Sequence, residues 1–425
     1  MIERPPPDRR RKPLRPRRAQ PSRSGRRAVS TPPSPTPSRK RSPDCHGRDA
    51  APVAQAPGRE RSLFIVDNRL QSLYKERVRA LPQNGSNPTL EEVAKVAGVS
   101  RATASRVFTA SPKVSPKAKR AVERAAEKLR YVPNRAARAL VTGRTDSIGL
   151  VIPEPTAFLF GDPFFPRLVR GISEVLSRRM LQLVLLMPQS AGDETRLEGY
   201  LSAGHVDGVL MVSLHGNDPL PDRLHERGTL VVLGGRPGAS SPVSYVDVDN
   251  VGGARSAVEH LIATGRKRIA TITGPLDMGA GVDRLEGYRD ALLKAGLKTD
   301  EALQQAGDFS QERGAAAMQA LLDGHPDLDA VFCASDVMAA GALETLRRHR
   351  RRVPSDVAVI GFDDSTIATS TAPNLSSVRQ PIEEMGREMA RLLLAGLDSG
   401  TAGGKRVILA TELVVRASSG KGGRE

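Results

Sequence analysis

The chain has 425 residues, enough for two or three domains, and its 39% apolar content supports a large core that must be aliphatic, since there is no Trp and only nine Phe. The net charge of +17 points to a polyanionic partner. No uncharged apolar run is long enough to span a membrane, and the basic N-terminus lacks the apolar centre of a signal peptide.

The charge is unevenly placed. Residues 1–60 carry +11, residues 61–88 carry +3 and residues 89–142 carry +8, while residues 143–425 carry −5. The polyanion-facing chemistry therefore belongs to the first third of the chain. The two cysteines, Cys45 and Cys333, are far apart, so no disulfide is expected and a reduced, cytoplasmic setting is.

Residues 1–58 are Pro, Arg and Ser with almost no apolar side chains. Such a segment cannot offset the entropy of ordering and reads as disordered. It is either a phosphate-binding arm that raises non-specific DNA affinity or a segment that contributes nothing. Ser62 to Leu81 has apolar residues at helical spacing, and residues 82–88 read as a linker. The whole of 1–88 is expected to be extension and linker.

Thr89 with Glu92 three positions on forms a capping box, and Leu90, Val93, Ala94 and Ala97 give one apolar helical face. Gly98 stops that helix and Val99 plugs the turn. Ser100 caps a second helix, from Arg101 to about Thr109. Two helices around a tight glycine turn make a helix-turn-helix, whose second helix enters the major groove N-terminus first. Arg101, Ala102 and Arg106 are nearest the base edges, and an arginine can bond guanine N7 and O6 together. Ser100, Thr103 and Ser105 are short donors suited to phosphates. Thr89 completes the candidate set on this unit. A third helix starts with Ser115 as cap and Pro116 at its first position, and runs to about Arg130. Its Ala118, Val122, Ala125, Ala126 and Leu129 face inward, leaving Lys117, Lys119 and Arg120 for solvent or phosphate.

The next stretch is Tyr131-Val132-Pro133-Asn134-Arg135-Ala136-Ala137-Arg138-Ala139-Leu140. With the preceding VAKVAGVSRATASRV, it resembles the LacI/GalR family of bacterial transcription regulators. That family carries a VAxxAGVSxxTxSRV helix-turn-helix and a YxPNxxARxL hinge. Ala104 departs from the family's frequent valine, at a small cost in packing. The resemblance implies a hinge helix that folds on operator DNA, with Leu140 wedging into the minor groove and Asn134, Ala137 and Arg138 facing groove or backbone. Family members usually begin just before the helix-turn-helix, so a start codon assigned too far upstream is a further reading of the extension.

From Ser147 short β-rich runs alternate with helical stretches. Strands are expected at Ile148–Ile152, Leu183–Leu186, Gly208–Val212, Leu230–Leu233, Arg268–Thr273, Ala330–Cys333 and Val357–Ile360. Helices are expected at Phe165–Arg179, Thr195–Ala203, Val251–Ala263, Arg284–Ala295, Gln311–Leu322, Val337–His349 and Ile382–Ala395. The alternation predicts an α/β fold of two doubly wound parallel-sheet subdomains, with ligands beyond the carboxyl ends of the strands. The resemblance extends to about Val415 and implies subdomains like those of periplasmic sugar-binding proteins. It is carried by Asp162-Pro163-Phe164-Phe165, Val246-Asp247-Val248-Asp249-Asn250, Asp283-Arg284-Leu285-Glu286-Gly287-Tyr288, Ser335-Asp336-Val337-Met338-Ala339 and Gly361-Phe362-Asp363-Asp364. The expected organisation is a helix-turn-helix unit over 89–132, a hinge helix over 133–145, an effector-binding and dimerisation core over 146–416 and a flexible tail over 417–425.

A sugar cleft needs charged groups to bond hydroxyls and flat apolar walls for C–H faces. Arg284 follows the glycine-rich loop 274–281 and matches the family position where an arginine clamps the effector. Asp363 follows the strand Val357–Ile360. Phe164 and Phe165 precede a helix and offer an apolar wall. Ser335 stands where the family often has Asn, and so loses bidentate reach. Plainer readings are a surface ion pair for Arg284, a turn cap for Asp363, and a core or dimer contact for the phenylalanines. Met278 sits where the purine-responsive branch has an arginine, which disfavours a purine. Asp336, Asp363 and Asp364 are not an opposed acid–base pair, the seven histidines have no metal-ligand spacing, and no nucleotide-binding or hydrolase motif occurs.

These readings predict no enzyme, no metal and no cofactor. They predict a dimeric regulator, a repressor that leaves a pseudo-palindromic double-stranded operator when a sugar or glycoside binds. A sugar-binding transport receptor is the alternative.

Overall fold

Residues 88–109, 113–133, 139, 143–238, 241–401 and 403–420 are described by a computed structural model of the chain. The expectations for residues 1–87, and for Asn134, Ala137, Arg138 and Leu140 of the hinge, lie outside these residues.

The first unit is three short helices: α1 (Leu90–Ala97), α2 (Arg101–Phe108) and α3 (Pro116–Leu129). Each begins where a hydroxyl satisfies an orphan backbone N–H. The Glu92 N–H donates to Thr89 Oγ1 at 3.2 Å while the Thr89 N–H donates to Glu92 Oε2 at 2.7 Å. Thr103 N–H donates to Ser100 Oγ at 3.1 Å, and Ala118 N–H to Ser115 Oγ at 3.3 Å. Gly98 ends α1 at φ 65°, which only glycine adopts without steric cost. Val93, Ala94, Ala104, Val122 and Ala125 close a small core, against which the Phe108 and Tyr131 rings pack tilted to each other, 5.3 Å apart.

The larger part has two lobes, each built on a six-stranded sheet. In the first, β1 (Ser147–Val151), β2 (Gln182–Leu186), β3 (Gly208–Val212), β4 (Val231–Gly234), β5 (Ser244–Val248) and β11 (Arg406–Leu409) lie in the order β11-β5-β4-β3-β1-β2. All its pairings are parallel. In the second, β6 (Ile269–Thr273), β7 (Gln304–Ala306), β8 (Ala330–Cys333), β9 (Ala358–Asp363), β10 (Ser376–Arg379) and β12 (Glu412–Val414) lie in the order β12-β10-β9-β8-β6-β7. Only β12 runs antiparallel. The central strands are largely apolar along their whole length, as in Gly208–Val212 and Ala330–Cys333, in keeping with helices that cover both faces.

The helices of the first lobe are α4 (Thr156–Gly161), α5 (Phe164–Arg178), α6 (Ala191–Ser202), α7 (Leu220–Glu226) and α13 (Ile382–Ser399). Those of the second are α8 (Asn250–Ala263), α9 (Gly279–Lys294), α10 (Gln311–Gly324), α11 (Asp336–Arg348) and α12 (Thr366–Ser370). The chain therefore crosses between lobes three times: between β5 and α8, between β10 and α13, and between β11 and β12. Helices α5 and α13 cross at a pair of glycines. A Cβ on Gly171 would strike the Glu383 carbonyl oxygen, and one on Gly386 would strike that of Leu168.

Four expectations are corrected. Strand β9 continues to Asp363 rather than stopping at Ile360, because Gly361 and Phe362 stay in register with β10. Helix α9 starts at Gly279, so Arg284 lies on its second turn and not at its start. Phe164 and Phe165 begin α5 itself and do not lie in a loop before it. The tail expected from residue 417 is seated as far as Gly420: Ser418 and Ser419 are buried, and Ser418 Oγ donates to the Val359 carbonyl at 2.6 Å and accepts from Ser376 N–H at 2.8 Å. Strands β5, β7, β10, β11 and β12 and helices α4, α7 and α12 are additional. They are short, or they carry Ser, Asp and Arg inside the run, which breaks the apolar signal.

Candidate functional site

A cavity of about 230 Å³ opens between the two lobes, at the carboxyl ends of both sheets. It is lined by all five predicted cleft residues, Phe164, Phe165, Arg284, Ser335 and Asp363, and also by Met278.

Arg284 is the centre of the site. It is buried, and its guanidinium is fixed on three sides. Nε donates to Asn250 Oδ1 at 2.9 Å and Nη1 to the Ala334 carbonyl at 2.6 Å. The group lies 3.7 Å from the Phe362 ring centroid and 5.9 Å from that of Phe309. The surface ion-pair reading of Arg284 is thus excluded by its burial. Burial also lowers its pKa, opposed by Asp363, Asp247, Asp336 and Asp162. A planar fork between ring and carbonyls has no rotational freedom left to lose on binding a ligand.

Asp363 ends β9 at φ 113°, a strained conformation for a non-glycine residue. The strain turns its carboxylate into the cavity, where Gln380 donates to it. Burial drives its pKa well above the usual carboxylate range, with the Arg284 charge opposing. Ser335 caps α11, its Oγ accepting from Met338 N–H at 3.2 Å. Its hydroxyl keeps its proton and one lone pair to offer a ligand. Phe165 is buried in the first lobe's core, with Phe158 and Phe164 packed edge-on against it at 5.7 and 5.3 Å. The phenylalanines are at once core and cleft wall.

Several cleft residues were not singled out from the sequence. Asp162 accepts from Phe164 N–H at 2.8 Å, and burial raises its pKa. Asp247 accepts from Val248 N–H at 2.8 Å, Asn250 Nδ2 at 3.1 Å and Arg236 N–H at 3.1 Å, and burial again raises its pKa. Asn250 and Gln380 lie at two of the three crossovers, so the hinge itself carries cleft side chains. The usable signal was an Asp or Asn just past an apolar strand, as in Val246 to Asn250. The cavity lining holds six aspartates against two arginines, Arg236 and Arg284. That balance accepts hydrogen bonds from hydroxyls and repels anions. Asp336, buried beneath Gly361, has its pKa raised to about 6 by burial, opposed by Ser377 and Ser365. It accepts from Ser377 Oγ at 2.5 Å and Ser365 N–H at 2.7 Å, which gives it a structural role.

On the helical unit, Arg101, Ala102 and Arg106 are exposed on α2, and Thr103 and Ser105 are half-buried. Arg101 Nε is paired with Glu91 of α1. Thr89 and Ser100 are engaged as caps. The 12 Lys/Arg of residues 89–142 include exposed Lys117, Lys119 and Arg120 on α3. Among the described residues no group of His, Cys, Asp and Glu could hold a metal, and no helix is long and apolar enough to cross a membrane.

Comparison with known proteins gives a consistent result. Residues 89–134 match the bacterial regulatory proteins of the lacI family, and residues 258–419 match the periplasmic binding protein-like domain. The HTH-type transcriptional regulator CelR of Thermobifida fusca is 54% identical over 333 residues, covering 78% of this chain and 98% of the relative. A solved CelR–cellobiose complex aligns with a TM-score of 0.63 at 52% identity, over 78% of this chain and 99% of that one. The lac repressor dimer bound to operator and the anti-inducer ONPF aligns with a TM-score of 0.70 at 25% identity, over 79% and 99%.

Proposed function

We propose that this chain, which belongs to the lacI family of bacterial regulatory proteins, is a repressor released from its operator by cellobiose or a closely related neutral gluco-oligosaccharide. Membership makes it a DNA-binding transcription regulator. The finer reading rests on one observation: a buried, immobilised Arg284 set among carboxylate and amide acceptors, in a chain 52% identical to a protein solved with cellobiose. Sugar hydroxyls donate to Asp162, Asp247 and Asp363, accept from Arg284, and lay a C–H face on the phenylalanines. The aspartate surplus disfavours sugar phosphates and other anions.

The chain acts as a homodimer. Its two α2 helices read half-sites one helical turn apart, with Arg101, Ala102 and Arg106 at the bases and Thr89, Ser100, Thr103 and Ser105 at the backbone. Asn134, Ala137, Arg138 and Leu140 engage the minor groove as hinge. A sugar that prefers one lobe arrangement shifts the hinge through the three crossovers. A regulator that binds DNA and sugar without turning either over is no enzyme.

Titration calorimetry of the full chain with cellobiose, glucose, lactose and glucose 6-phosphate tests the effector assignment. Saturable heat with cellobiose, and none with the phosphate, is expected. Binding of the phosphate sugar alone would refute it.

A further inference from the structure

We propose that His215 is a clasp that ties the two lobes together at the rim of the effector cleft, and so positions the walls that grip the ligand. His215 lies in the loop after β3, in the first lobe. Its Nε2 is 3.1 Å from Glu154 Oε1, on the loop after β1 of the same lobe. Its Nδ1 is 3.0 Å from Asp277 Oδ2, on the loop after β6 of the second lobe. Both nitrogens face carboxylates, so only the imidazolium, donating from both, satisfies the arrangement. Next in sequence, Gly216 N–H donates to the Asp277 carbonyl at 2.8 Å, again across the cleft.

The foundation of the clasp is rigid. Glu154 is buried, and its Oε1 also accepts from Ser213 Oγ at 2.5 Å, with Ser213 held at φ 59°. Asp162 also lies close enough to Glu154 for the charges of the two carboxylates to repel. The proton is held firmly: the Glu154 hydrogen bond, and then that of Asp277, raise the His215 pKa to about 9 against the opposing effect of burial. Ser213, Gly216 and Asp277 line the cavity, so the clasp borders the space the ligand would fill. Two further bridges accompany it, Arg236 to Asp283 and Arg167 Nη1 to the Asp363 carbonyl at 3.4 Å, but neither encloses a proton between two carboxylates.

Gly216 N–H reports on closure with no ligand present. Its hydrogen exchange is measured at neutral pH in the free full-length protein, in wild type, His215→Gln, Asp277→Asn and the double variant. Asp277→Asn leaves the His215 loop intact, so it decides the matter if His215→Gln perturbs folding. Unaltered protection of the Leu210 amide, in β3, verifies that each variant is folded. Each single change should speed Gly216 exchange about five-fold, and the double change should add little, because the residues act as one unit. Unchanged exchange in both singles, or fully additive effects, overturns the clasp. The second readout rests on the cellobiose reading: clasp variants release cellobiose about five-fold faster than wild type. Absence of any cellobiose binding to wild type would refute that reading alone, since the amide measurement needs no sugar.

Discussion

The Arg284 guanidinium stands 3.7 Å from the Asp363 carboxylate, both buried, yet neither spends its best hydrogen bond on the other. Arg284 Nη1 is taken by the Ala334 carbonyl, and Asp363 is held by Gln380 from a crossover between lobes. The pair is spaced for something between its members, which is why it is read as a ligand grip.

Arg284→Lys keeps the charge but loses the planar fork. It should weaken cellobiose binding roughly 30-fold or more, since truncating one partner of a buried charged pair costs ~2–5 kcal/mol. Operator affinity without sugar should stay within about two-fold. Arg284→Ala should destabilise the fold by less than the ~3–5 kcal/mol usual for an orphaned buried charge. Asp363, already raised well above its ordinary pKa, can take up a proton instead. Calorimetry and chemical denaturation check both.

Glu91 pairs with Arg101 at the start of α2, the helix proposed to read the bases, and hydrogen bonding keeps the Glu91 pKa below its ordinary value. The carboxylate both parks the arginine and repels phosphate. Glu91→Gln should tighten binding to non-operator DNA about two- to five-fold at low salt and narrow the preference for operator. Arg101→Ala should lose ~1–3 kcal/mol of discrimination at one base position. Anisotropy titrations on matched and mismatched duplexes measure both. An unaltered preference in Arg101→Ala would remove Arg101 from the reading set.

The helical unit and the alternating core were legible in the sequence because their signals are local. Thr89, Ser100 and Ser115 announce caps, and Gly208–Val212 and Ala330–Cys333 are unbroken apolar runs. The cleft was legible only in part. Arg284, Asp363 and Asn250 stand in motifs, but Gln380 enters through the crossover topology, which no local window reveals. His215 meets Glu154 and Asp277 from positions 61 and 62 residues away. The seating of Ser418 and Ser419 was hidden for the opposite reason: a Gly/Ser-rich terminus reads as tail unless the polar slot beside Ser376 is known.

The crossing of α5 over α13 depends on Gly171. Gly171→Ala forces a methyl into the Glu383 carbonyl and should cost ~1–3 kcal/mol, seen as a lowered urea midpoint. Far-ultraviolet circular dichroism is the suitable probe, as the chain has no Trp. An unchanged midpoint would mean the two helices slide apart freely.

The His215 proton gives stability a pH signature. Its pKa is about 9 in the folded chain against an ordinary 6.5. A raised folded value means the protonated form is favoured by folding, so the contribution is full below pH 6.5, declines above it, and is gone once the pH has passed about 9. The thermal midpoint should therefore fall more between pH 6 and pH 9.5 in wild type than in His215→Gln. Parallel curves would remove the proton from the clasp.

The most direct test of the account is release of DNA by sugar. Fluorescence anisotropy would follow the full-length protein on a pseudo-palindromic duplex from its own upstream region, at fixed salt, as cellobiose is added. Tight, sequence-dependent binding that cellobiose reverses in wild type, and not in Arg284→Lys at the same concentration, is expected. Operator binding that cellobiose leaves unchanged, or strengthens, would contradict it.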